Sequence, residues 1–160
     1  MQLSASLPSL AEPPLLGTVG EAVEIRIARS REEIETLRQA WTAWPTHRDS
    51  DIDFYLMIIQ SYAEVLRPHV IGLYRNGRPD AILVGRLERK QVTFRVGYFR
   101  AFRPWAHCLT FVYGALHGSA SSENTEILVR EVMKNLKQGD ADVAVLEFVP
   151  LDSSLYRPAL

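Results

Sequence analysis

The sequence predicts an α/β (α+β) fold, a mixed and mostly antiparallel sheet flanked by helices. Three observations carry this. Asn76-Gly77 lies between two strand-like apolar runs, and an Asn-Gly pair tolerates the positive φ angles of a tight hairpin, so those runs are antiparallel neighbours. Apolar residues at helical spacing recur near 30–44, 50–66 and 123–138, which supplies helices to cover a sheet. Ala81-Ile82-Leu83-Val84 is continuously apolar, as a strand buried on both faces is.

In chain order, residues 1–20 hold Pro8, Pro13 and Pro14 and no Lys or Arg. The prolines break any helix, and without a basic n-region there is no secretory signal, so a disordered leader is expected. Residues 23–28 alternate apolar and polar, a half-buried strand. Ser30 and Glu33 form a capping box that opens a helix with Ile34, Leu37, Trp41 and Trp44 on one face, closed by Pro45. Ser50-Asp51-Ile52-Asp53 starts a second helix, expected to run through Leu66 and stop at Pro68. Three meandering strands follow over 69–75, 79–88 and 91–97, with Arg89-Lys90 as the second turn. Residues 98–107 read as irregular, 108–113 as a short strand or loop end, and 114–122 as a flexible loop. A helix over 123–138 with Gly139 beyond its end, then a buried strand over 141–148, complete the pattern.

Composition narrows the function classes. The 160 residues are 47% hydrophobic and 23% charged, ordinary for a globular domain. With 18 Lys+Arg against 19 Asp+Glu the net charge is -1, which argues against a dedicated nucleic-acid binder. Cys108 is the single cysteine, so an internal disulfide and a multi-cysteine zinc site are excluded. No apolar run is long enough to span a membrane, and a cytoplasmic location is expected.

The order strand, helix, helix, three strands, helix, strand resembles the first two-thirds of a GNAT acyltransferase fold. Trp41 to Trp44, Asp51-Ile52-Asp53-Phe54-Tyr55, the run 69–77 with 81–84, and the run 146–154 narrow the resemblance. Together they are similar to the N-terminal half of tandem-GNAT proteins of the FemAB-like and CelD-like group, linked to cell-wall, cellulose or other polysaccharide biosynthesis. The resemblance covers about residues 23 to 160. It implies N-acyl transfer from acyl-CoA or a similar donor to an amine acceptor. It also implies a chain incomplete at its C-terminus, with the donor bound by a second GNAT unit and no tightly bound cofactor here. Such a unit is expected to dock on its second half or to self-associate. The alternative is a degenerate, non-catalytic interaction domain.

The same resemblance places a pyrophosphate loop between the fourth strand and the next helix. Gly118, Ser119 and Ala120 match the last half of its pattern, while Ala115 stands where Arg or Gln is expected. Glu147, in an apolar strand near the cleft, is the candidate catalytic base for an amine acceptor. Arg100, Arg103, Trp105 and His107 interleave cations with rings and are the candidate surface for an anionic or sugar-like ligand. Against these stand bland readings: a helix entrance, a polar strand face, and core rings with snorkelling arginines. Asp51 and Asp53 read as helix caps rather than an acid/base pair, because residues two apart do not share a helix face. Cys108 reads as a buried structural thiol, and the four histidines, His47, His69, His107 and His117, have no metal-ligand spacing.

Overall fold

A computed structural model describes residues 22–45 and 47–147. The expected leader, Phe148 and the segment beyond it lie outside the described residues. The main sheet has five strands in the order β1-β2-β3-β6-β7, built from β1 (Val23–Ala28), β2 (Val65–Arg75), β3 (Arg78–Gln91), β6 (Trp105–Gly118) and β7 (Val143–Leu146). All pairings are antiparallel except β6 with β7, which are parallel. The parallel pair is joined by α4 (Ser122–Lys137), as a parallel connection requires a crossover. A mixed, mostly antiparallel sheet flanked by helices is the predicted fold class.

The local signals explain several elements. Ser30 accepts from the Glu33 amide and the Glu33 carboxylate accepts from the Ser30 amide, so the capping box forms. Asp51 caps α3 (Ile52–Ser61) by accepting from the amides of Asp53 and Phe54, and Asp53 instead pairs with Arg38 at 2.8 Å. Asn76 and Gly77 take φ of 50° and 77°, the left-handed values their turn demands. α4 ends with the Gly139 amide on the Leu136 carbonyl and the Asp140 amide on the Asn135 carbonyl, which satisfies two free carbonyls.

Other elements differ from the sequence reading. The single helix expected over 30–44 is two, α1 (Arg31–Glu35) and α2 (Arg38–Ala43). The Thr36 hydroxyl bonds back to the Glu33 carbonyl at 2.6 Å, and the Leu37 amide closes a tight turn on the Ile34 carbonyl. That break turns Leu37 into the core, where it is 3% exposed. The second helix stops at Ser61 rather than Leu66, and residues 65–68 belong to β2. Pro68 sits inside that strand because β1 pairs only as far as Val70, leaving 65–69 with a ladder on the β3 side alone.

The meander needs the largest correction. Arg89-Lys90 is not a turn; β3 runs straight through it to Gln91. The third strand expected over 91–97 is absent from the main sheet. Its core, β4 (Phe94–Val96), pairs with β5 (Phe99–Phe102) in a separate two-stranded hairpin across the stretch read as irregular. Its place beside β3 is taken by β6, fourteen residues long, which absorbs the short strand expected over 108–113 and the first part, 114–118, of the loop expected over 114–122. The final strand is shorter than expected and only half-buried.

The register gives each face its role. Val70, Val84 and Ile82 share one face with Arg86, Glu88 and Thr110. α1 to α3 cover its apolar end, where Trp41 packs against Tyr55 and His117 at ring distances of 5.6 and 5.7 Å. α4 contacts β2 and β7 from the other side.

Candidate functional site

The site begins with a fault in the β3–β6 ladder. Leu83 pairs with Leu116 and Gly85 with Phe111, so residues 112–115 stand opposite Val84 alone. A bulge of this size breaks pairing and re-aims the strand. Gly114 sits in it at φ 68°, so close to His47 that a Cβ there would lie 2.7 Å from the His47 Cβ. Tyr113 meets the His47 ring edge-on at 4.6 Å. The bulge therefore leans on the 3₁₀ turn Arg48–Ser50 that precedes α3.

On the other side of β6 lies the parallel strand β7. β7 pairs through Phe111 and Leu146, after which the Glu147 amide donates to the Phe111 carbonyl at 2.9 Å. Beside the bulge, α3, β3 and Glu147 enclose a cleft of about 270 Å³ lined by Asp49, Tyr55, Tyr62, Arg86, Tyr113 and Glu147. Glu147 is the one sequence-predicted site residue in this lining.

A polar network runs from the cleft along the same sheet face. Glu88, 8% exposed, binds Arg86 Nε at 2.5 Å and Lys90 Nζ at 3.0 Å, and accepts from the Thr110 hydroxyl at 2.6 Å. Burial raises the Glu88 pKa, but the donors from Thr110, Arg86 and Lys90 outweigh it and hold the carboxyl below its usual range. Glu88 is thus a fixed anion, unsuited to taking a proton at neutral pH. It orients Lys90, whose Nζ also donates to Thr110 at 3.0 Å and lies 3.6 Å from Glu147. Tyr55 closes the inner wall, its hydroxyl donating to the Gly85 carbonyl at 2.5 Å, and burial pushes its pKa up, so it remains a neutral phenol.

The other predicted residues lie elsewhere. Gly118 has φ 82°, and a Cβ there would come 2.3 Å from the Asp80 carbonyl oxygen. The Ser119 amide donates to that carbonyl at 2.8 Å, and the Ser119 carbonyl accepts from Asn124. Ala120 is exposed beside them. Asp80 and Glu123 both reach Arg75 at this helix entrance, so two carboxylates stand where a pyrophosphate would need donors.

Arg100 occupies a β5 position opposite Arg95. Arg103 donates to Thr93 at 3.1 Å, Trp105 lies under the Arg89 guanidinium at 5.6 Å, and the His107 amide donates to Asp142 at 2.8 Å. Arg103, Trp105 and His107 are absent from the cleft lining. Cys108 is fully buried, and burial pushes its thiol pKa up, as a structural cysteine requires. Among the described residues no group of His, Cys, Asp or Glu could hold a metal ion, and no helix is long and apolar enough to cross a membrane.

Sequence reasoning missed the Arg86, Glu88, Lys90 and Thr110 network. The signal was a period-two run of charges inside an otherwise buried strand, which marks a polar stripe on one face. No family model, no curated protein and no solved structure matches the chain.

Proposed function

We propose that the chain is a GNAT-like unit of an N-acyltransferase, and that the cleft over the β6 bulge receives the amine acceptor. One observation carries this reading. The β3–β6 ladder breaks opposite Val84, with 112–115 free of register partners on β3, and Glu147 stands beside the break with its amide on the Phe111 carbonyl. The strand order supports it too, since four antiparallel strands and one parallel strand reached through a helix is the order the resemblance implies.

In this reading Asp49 and Glu147 attract a protonated amine into the cleft. Glu147 removes one proton, the nitrogen attacks the thioester carbonyl, the C–N bond forms, and the C–S bond breaks. The departing thiolate takes up a proton. Backbone amides of the bulge would face the carbonyl oxygen as it becomes negative. The donor's pyrophosphate would lie outside the β6–α4 loop, which is occupied by its own contacts.

A second reading is a non-catalytic interaction domain that keeps the fold. It is favoured by one observation, the Ser119 amide already bonded to Asp80 between two carboxylates. Calorimetry of the chain with acetyl-CoA separates the two. Saturable binding supports acyl transfer by this chain, and no binding leaves the interaction domain. Cytoplasmic location and a role in polysaccharide or cell-wall synthesis belong to the first reading.

A further inference from the structure

The β4–β5 hairpin contributes little to the core, yet it carries a dense set of rings. Tyr98 is fully exposed at its turn, Phe99 is 82% exposed, and Phe102 and Trp105 are also open to solvent. Phe94 and Phe102 stack on each other at 4.9 Å rather than on the sheet. Scattered single apolar residues on a surface need no explanation, but several exposed rings gathered on one short hairpin mark a contact surface.

Charge identifies the partner. Residues 91–105 contain three arginines, Arg95, Arg100 and Arg103, and no acidic residue. The register puts Arg95 opposite Arg100, so two cationic positions share one rung. From the tip backwards the order is Tyr98, then the rung of Val96 and Phe99, then the two arginines, then the rung of Phe94 and Phe102. Successive rungs are about 3.3 Å apart. An apolar tip with two arginine positions one rung behind it follows the order of a lipid interface, where rings sit at the acyl boundary and cations at the phosphates.

A second copy of the chain fits poorly, because a two-fold contact would bring these cations against each other. A nucleic acid fits less well than a bilayer, because the most projecting groups are apolar and the whole chain carries a net charge of -1. We propose that the β4–β5 hairpin docks this domain onto an anionic lipid bilayer, with Tyr98 and Phe99 inserted and the arginines on the headgroup phosphates. The proposal is independent of the cleft and its chemistry.

Vesicle co-sedimentation of the full chain tests it, using phosphatidylcholine mixed with phosphatidylglycerol and phosphatidylcholine alone. Binding to the anionic vesicles is expected, weakening as salt rises. The double variant Tyr98→Ser with Phe99→Ser should bind at least about tenfold more weakly, and Arg103→Ala about fivefold. Independently of any variant, brominated lipid should quench Trp105, which is exposed beside the hairpin. No binding to anionic vesicles, or equal binding by the tip variant, overturns the proposal. So does tighter binding to a single-stranded oligonucleotide than to vesicles. Dimers that dissolve in the tip variant, without vesicle binding by the original chain, overturn it in favour of a second copy.

Discussion

Trp41, Tyr55 and Phe111 are at most 1% exposed, while Tyr98, Phe99 and Trp105 stand 60% or more in solvent on or beside the β4–β5 hairpin. The side chains are of one chemical kind, and their polar handles show the difference. Trp41 Nε1 donates to the Ser50 carbonyl at 2.9 Å and the Tyr55 hydroxyl to Gly85, so both rings tie the α1–α3 layer to its surroundings while filling the core. Removing water from those rings stabilises the fold. The hairpin rings leave that gain unrealised until something covers them.

The contrast is broken most sharply by Trp41→Ala. Loss of a fully buried indole and its hydrogen bond should cost about 4 kcal/mol, read from urea unfolding. A loss below about 1 kcal/mol would mean that the α1–α3 layer is not packed as described.

The next largest effect is one of pH. His69 is wholly buried, its Nε2 has no partner, and its Nδ1 lies 3.3 Å from Arg67. Burial first, then Arg67 and Arg29, push its pKa down to about 4, with Asp140 opposing them. The unfolded chain takes this proton near pH 6.5 and the folded chain does not until about pH 4. Stability is therefore full above 6.5 and falls as pH drops to 4, by roughly 3 kcal/mol in total. Burial also lowers the pKa of His117, which adds loss of the same sign. Urea midpoints measured across that range should slope downward, and His69→Gln should flatten the slope.

Glu88→Ala should cost about 2 kcal/mol, because it leaves Arg86 and Lys90 without their shared anion. Glu88, its pKa held down, contributes stability above its unfolded value near 4.5 that is lost as pH falls through the folded one. The smallest effect belongs to the hairpin. Phe99→Ser should change stability by less than about 0.5 kcal/mol, since the ring touches little to lose. A larger drop would show that the hairpin packs on the domain.

The same contrast separates what could be read from the sequence. Ser30 with Glu33, Asp51, Asn76-Gly77 and Gly139 act on neighbours within a few residues, so their elements were legible. β6 was not, because its strand character comes from pairing with β3, which no local propensity records. Pro68 misled for a related reason: it stops a helix, yet is tolerated where a strand has one neighbour. Glu147 was legible as a carboxylate in an apolar run. Its neighbour Lys90 was not, because register across three strands brings the two together.

The cleft is tested most directly by release of the CoA thiol from acetyl-CoA in the presence of a primary amine, for the chain and its Glu147→Gln variant. If Glu147 takes the acceptor's proton, the chain releases thiol in an amine-dependent way and the variant is slower by about a hundredfold in kcat. Equal rates in both, or no amine-dependent release by the chain, would contradict the assignment of the β6 bulge cleft to acyl transfer.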